Sequence, residues 1–227
     1  MMNRAMLQVG TAVGALALFG VSGCRNKTPE AGDVASVRLI NAVPDAGGLD
    51  VSVNGRRVWK RAAFRSSTGY QAVASGTYPV TLDADGPGTT LLTQSLSFDK
   101  NKNYTLLALG QADGRNNAQM QVWPDETPKL PPEKAGVRLV NASPGTPSVD
   151  LVVNTIVAVK SVEYGRRSGP LALDGGEYDL QLAASGTATM LTGSVHLALF
   201  PGHAYTLVAM GTPGSRQTLT LEAYPDK

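Results

Sequence analysis

Val37-Arg38-Leu39-Ile40-Asn41-Ala42-Val43-Pro44 recurs as Val137-Arg138-Leu139-Val140-Asn141-Ala142-Ser143-Pro144, an offset of 100 residues, which makes the chain two copies of one unit. The offset persists at Asp50-Val51-Ser52-Val53-Asn54 against Asp150-Leu151-Val152-Val153-Asn154. It still holds where residues 76–82 align with 176–182. One inserted residue then shifts the match, so that Tyr104-Thr105-Leu106-Leu107-Ala108-Leu109-Gly110 answers Tyr205-Thr206-Leu207-Val208-Ala209-Met210-Gly211. Both copies close alike, with Trp123-Pro124-Asp125 and Tyr224-Pro225-Asp226. A single shift over a whole unit marks a duplication. Each copy has the size of an ordinary domain.

Within the first copy the apolar residues recur with period two. Leu49, Val51 and Val53 fall on one face of an extended segment, and Asp50, Ser52 and Asn54 on the other. The segment 37–42 alternates in the same way and predicts Arg38 facing outward. Asn54-Gly55 is a tight hairpin signal. Further strands are predicted at 58–59, 71–74, 77–82, 91–98, 104–110 and 118–123, with no 3.6-residue period after residue 24. Short strands separated by close turns predict an all-β chain: two tandem antiparallel β-sandwiches, immunoglobulin-like or transthyretin-like. Tyr104 and Tyr205 each open a strand after a turn, where such a sandwich has its tyrosine corner; a half-buried strand tyrosine fits the same position.

These motifs together (V-R-[LF]-x-N-A-x-P, [VL]-D-[VL]-x-V-N, G-x-Y-x-[VL] and Y-T-[VL]-[VL]-A-x-G) resemble the DUF4397 family. The resemblance covers nearly all of residues 35–226, twice. It implies a bacterial envelope or secreted protein, and it carries framework motifs with no catalytic residue among them.

The N-terminus has its own reading. Arg4 precedes an apolar stretch over residues 5–20, and Val21-Ser22-Gly23-Cys24 ends it at the only cysteine of the chain. A bilayer-spanning helix needs about 20 apolar residues. This shorter stretch reads as a signal peptide, and it looks like a bacterial lipoprotein signal ending in a lipobox. That resemblance implies cleavage before Cys24, a diacylglycerol on its thiol and an acyl chain on its new amino group. Several acyl chains hold a protein at a bilayer where one does not. Arg25 stands where an inner-membrane retention aspartate would, which implies the outer membrane if the source is Gram-negative. The expected organisation is a lipoprotein signal peptide at 1–23, a flexible tether at 24–34 and sandwiches at 35–125 and 135–227. The linker at 126–134 is rich in proline, which predicts two domains held at a spacing rather than folded into one core.

Without residues 1–23 the chain holds 19 basic and 18 acidic residues. So small an excess is no nucleic-acid signature. The densest charge cluster is Arg56, Arg57, Lys60, Arg61 and Arg65, a candidate contact patch for anionic lipid headgroups or cell-wall polymer; Arg166-Arg167 is a thinner echo of it. A solvated loop between strands accounts for the same residues. Trp59, Tyr70 and Trp123 could form a sugar-stacking platform, but of their second-copy counterparts Val159, Pro170 and Tyr224 only one is aromatic, and core and interface packing accounts for the same residues. His196 and His203 answer Ser95 and Lys102 of the first copy and lack the further ligands of a triad or a zinc site. Asp83-Ala84-Asp85-Gly86 resembles a calcium loop but has Gln94 where the bidentate glutamate belongs. Asp50 and Asp150 are expected to bond a loop backbone or to pair with Arg38 and Arg138. The expectation is a non-enzymatic binding, adhesion or scaffolding protein with no cofactor beyond its lipid. Its partners are the membrane and an envelope protein or polysaccharide. The alternative is a carbohydrate- or cell-wall-binding module that localises a partner.

Overall fold

The computed structural model describes residues 33–84, 89–115, 117–125, 129–215 and 218–227. Cys24, the signal peptide and nearly all of the tether lie outside them, as do linker residues 126–128 and Asp85-Gly86. The described residues contain no helix long and apolar enough to cross a membrane.

The first copy forms β1 (Val34–Asn41), β2 (Leu49–Val53), β3 (Arg56–Ala62), β4 (Gln71–Ala74), β5 (Gly76–Ala84), β6 (Thr90–Phe98), β7 (Asn103–Leu109) and β8 (Gln119–Pro124). The second repeats the series as β9 (Lys134–Asn141), β10 (Ser148–Val153), β11 (Ile156–Glu163), β12 (Leu171–Asp174), β13 (Gly176–Ala184), β14 (Val195–Leu199), β15 (Ala204–Met210) and β16 (Thr220–Pro225). All eight strands expected in the first copy are present. Each copy builds an outer sheet, β3-β2-β5-β6 or β11-β10-β13-β14, and an inner sheet, β4-β1-β7-β8 or β12-β9-β15-β16. The inner sheets are mixed: β1 runs parallel to β7, and β9 parallel to β15.

Alternation places Val37 and Leu39 of β1, Leu49, Val51 and Val53 of β2, and Leu106 of β7 in one core with Trp59 and Phe98. Val137, Leu139, Leu151, Leu180 and Leu207 do the same in the second sandwich. Burying such side chains is worth about 1.5–3 kcal/mol each.

A third core corrects the expectation of separated domains. Ile40, Ala42, Leu107 and Leu109 of the first sandwich pack with Val140, Ala142, Val208, Met210 and Tyr224 of the second. These residues lie on the inner-sheet faces turned away from each sandwich's own core. The inner sheets are therefore apolar on both faces and bury the second face against each other. The proline-rich segment joins two bodies that share a seam.

Candidate contact surfaces and the framework that carries them

The recurrent motif residues build the frame. Asn41, fully buried, accepts from the Val43 N–H at 2.8 Å and donates its amide to the Ala62 carbonyl at 2.9 Å. Asn141 repeats this with the Ser143 N–H and the Val162 carbonyl. The Asn of N-A-x-P thus closes its own turn and ties it to the end of β3 or β11.

Asp50 and Asp150 each face a register shift between the second and third strands of their copy. There Arg61 and Ser161 adopt φ of 49° and 55°. The Arg61 N–H donates to Asp50 at 2.6 Å, and the Ser161 N–H to Asp150 at 2.7 Å. Of the two roles expected for these aspartates, backbone bonding is the one adopted; Arg38 and Arg138 find other partners. Burial works against the Asp150 carboxylate, but hydrogen bonds from Ser161, Ser185 and Gly186 outweigh it and hold its pKa below the usual range.

Tyr104 resolves the other open alternative. Its hydroxyl accepts from the Asp99 N–H at 3.1 Å, and that of Tyr205 accepts from the Phe200 N–H at 3.2 Å. Both bond back to backbone five residues upstream, as a tyrosine corner does.

Arg38 does not face water. It leaves its own sandwich but enters the seam, where it is 2% exposed. Its guanidinium donates to Thr105 Oγ1 at 2.8 Å, to the Pro225 carbonyl at 2.5 Å and to Asp226 Oδ1 at 2.5 Å. Arg138 Nε lies 3.8 Å from the other oxygen of Asp226. Thr206 also donates to Asp226, while Thr105 and Tyr70 donate to Asp125. The closing Pro-Asp of each copy thus forms a buried polar cluster with the arginine of V-R-[LF] and the threonine of Y-T. Burial raises the Asp125 carboxyl pKa, against the hydrogen bonds from Tyr70 and Thr105 and the nearby Arg38 charge. Burial and the bond to Asp125 also push the Tyr70 phenol well above its ordinary value.

The basic cluster divides. Arg56, Arg57, Lys60 and Arg61 are exposed along β3, the free edge of the outer sheet. Arg57 reaches Asp50 at 3.3 Å. Arg65 sits apart, paired across the seam with Glu222. Charged edge strands resist unwanted pairing. Yet β11, in the same place in the second copy, carries Ile156-Val157-Ala158-Val159 with Lys160, and Ile156 is 72% exposed. Edge protection does not demand the cations of β3.

The aromatic platform does not assemble. Trp59 is buried in the first core because β3 turns it inward opposite Val51. Trp123 packs against the seam beneath the Arg167 guanidinium, 5.2 Å from its ring centre. Tyr70 is covered by Arg38.

His196 lies on the outer sheet with Asp179 at 3.0 Å from one ring nitrogen and Glu177 at 3.1 Å from the other. The Asp179 hydrogen bond, with help from both negative charges, raises its pKa. His203 meets the Pro201 carbonyl and the edge of Phe200. Among the described residues no group of three histidine, cysteine or carboxylate side chains is placed to hold a metal ion.

Three features escaped the sequence reading. One is the buried Arg-Asp cluster, whose signal was a charge retained at matching positions in otherwise apolar strands. Another is the exposed Phe200, beside a cleft lined by Glu133, Asp174 and Glu177. The third is a crease between β8 and residues 165–167.

No curated protein matches the chain. Solved structures similar to the chain at low level include two with carbohydrate-related descriptions. One, described as alpha-glucan binding by a streptococcal virulence factor, gives a TM-score of 0.30 at 9% identity, covering 85% of this chain and 97% of that one. The other, a product complex of the multi-modular glycogen-degrading pneumococcal virulence factor SpuA, gives 0.30 at 10% identity, covering 86% of this chain and 22% of that one. Likeness at that level carries no argument about function. A family model described as domain of unknown function (DUF4397) matches residues 35–152 and again 135–227. With the repeated motifs and paired sandwiches in place, the chain belongs to the DUF4397 family.

Proposed function

We propose that this chain is a lipid-anchored cell-envelope protein that acts without catalysis, as a contact or scaffolding module. Cys24 carries the acyl chains, and the residues after it tether a body made of two fused sandwiches. The observation that carries this reading is where the recurrent side chains go. Asn41, Asp50, Tyr104 and Arg38, with their second-copy equivalents, all sit in the frame, which leaves edges and end loops to make contacts. The β3 edge, with Arg56, Arg57, Lys60 and Arg61, is the strongest such surface, and it suits anionic headgroups held close by the anchor. Several cations near such a surface contribute about 1 kcal/mol each. In a Gram-negative source the site of action is the outer membrane.

Envelope fractionation with labelled palmitate tests the anchor. Wild type is expected in the membrane fraction with label, and Cys24→Ala unlabelled and uncleaved. Labelled protein from Cys24→Ala, or unlabelled wild type, would defeat it. Co-sedimentation with phosphatidylglycerol vesicles tests the edge: replacing its four cations with serine should remove the excess binding over phosphatidylcholine vesicles.

A second reading, sugar binding, has one observation in its favour. Phe200 is 61% exposed beside the carboxylates of Glu133, Asp174 and Glu177, so a ring face and hydroxyl acceptors lie together. Phe200→Ala should abolish the binding that wild type shows on a glycan array of neutral and cell-wall sugars; a wild-type chain that binds none of them removes this reading.

A further inference from the structure

The two sides of the seam are built from equivalent parts and have diverged. On one side β16 of the second sandwich meets the 65–67 turn of the first: the Tyr224 hydroxyl donates to the Arg65 carbonyl at 3.0 Å, and Arg65 pairs with Glu222. On the other side β8 meets the 165–167 turn. There Gln121 stands for Glu222 and donates to the Gly165 carbonyl at 2.7 Å, Gly165 stands for Arg65, and Trp123 stands for Tyr224. Both turns hold the left-handed conformation, with φ of 66° at Arg65 and 72° at Gly165. The built-in carboxylate–guanidinium pair of the first crease is therefore missing from the second by substitution at both partners.

What replaces it is cationic. Ser66 and Ser67 become Arg166 and Arg167. Arg166 is exposed on the rim and forms no ion pair among the described residues. Arg167 stacks over Trp123 with one nitrogen 3.5 Å from the Pro124 carbonyl. Gln94 of β6 and Gln121 of β8 line the same crease with amide groups. Guanidinium forks suit carboxylate and phosphate oxygens, and neighbouring amides suit hydroxyls.

We propose that this crease binds the oxyanion groups of an acidic polysaccharide, which pair with the exposed Arg166 guanidinium on its rim, beside the Gln121 amide that fills the place of the Glu222 carboxylate in the sister crease. The site does not depend on the lipid anchor or on the β3 edge.

The test uses the full acylated chain in phosphatidylcholine nanodiscs, followed by tryptophan fluorescence, since Trp123 lies in the crease. Polygalacturonate supplies carboxylates, polyphosphate supplies phosphates and dextran is the neutral control. Saturable binding of one or both polyanions, weakened by salt and absent for dextran, is expected; the arm that binds more tightly names the oxyanion. Arg166→Ser, which restores the first-copy residue on an exposed position, should weaken binding about tenfold. Gln121→Glu should weaken it at least as much by placing a carboxylate in the crease. Changing Arg56 and Arg57 to serine should leave it unaltered. The proposal fails if neither polyanion binds at low salt, or if binding survives Arg166→Ser and Gln121→Glu. Unchanged melting temperatures for Arg166→Ser and the β3 variant separate a lost site from a lost fold.

Discussion

Arg38 and Asp226 show how context sets the worth of a charge. Their side chains are 3% and 2% exposed, so removing one partner leaves the other buried without its ion pair. Asp226→Asn is expected to cost about 3–5 kcal/mol in urea unfolding at neutral pH. Asp125 behaves otherwise, because burial raises its pKa in the folded state. Such a group contributes stability below its unfolded pKa and loses that contribution as pH rises through the higher folded value. Asp125→Asn should therefore gain on wild type as pH is raised from about 3 to about 7, in parallel unfolding curves; a constant difference would contradict it. His196 has the same sign, since its raised pKa makes its contribution fade as pH rises through the folded value. Its imidazole should titrate above an ordinary histidine by NMR, and Asp179→Asn should bring it down. A strand alternation could place Arg38 outside its sandwich, but it carries no information about what covers that face.

Strands and turns were the most legible parts. Asn54-Gly55 marked a hairpin, and the chain turns there with both φ values positive. The apolar pattern marks only Val58-Trp59 of β3, which runs over Arg56–Ala62, because four exposed cations on a free edge break the pattern that betrays a strand. The tyrosine corners are the most transferable element. Tyr104→Phe and Tyr205→Phe should each cost about 1 kcal/mol by thermal unfolding; changes within error would show that the Asp99 and Phe200 bonds contribute nothing. Asp50 could be assigned a polar face but not a partner, since the bulge it bonds depends on the register of two strands.

The two copies form one body because a second apolar face on each inner sheet had to be covered. A hint lay in Tyr104-Thr105-Leu106-Leu107-Ala108-Leu109, where apolar residues run on without alternation, as in strands buried on both sides. The prolines of the linker pointed the other way, since they limit the backbone of the connection and say nothing of the surfaces it joins. Wild-type protein is expected to unfold in a single calorimetric transition. Ile40→Glu puts a charge into the seam while sparing both sandwich cores, and should split that transition in two. Two transitions in the wild type would show the seam too weak to couple the sandwiches.

Duplication, strand content and turn chemistry could be read from the sequence, because each shows in residue identity or in neighbours close along the chain, whereas the partners of Asp50 and Tyr104 could not. It took the tertiary structure to show that the sandwiches fuse, that Arg38 meets a carboxylate 188 residues away, and that one crease has an ion pair where the other has arginines. The physical reason is range. Periodicity and turn preference act within a strand and its neighbour, whereas burial and charge pairing depend on which surfaces meet once the chain has closed.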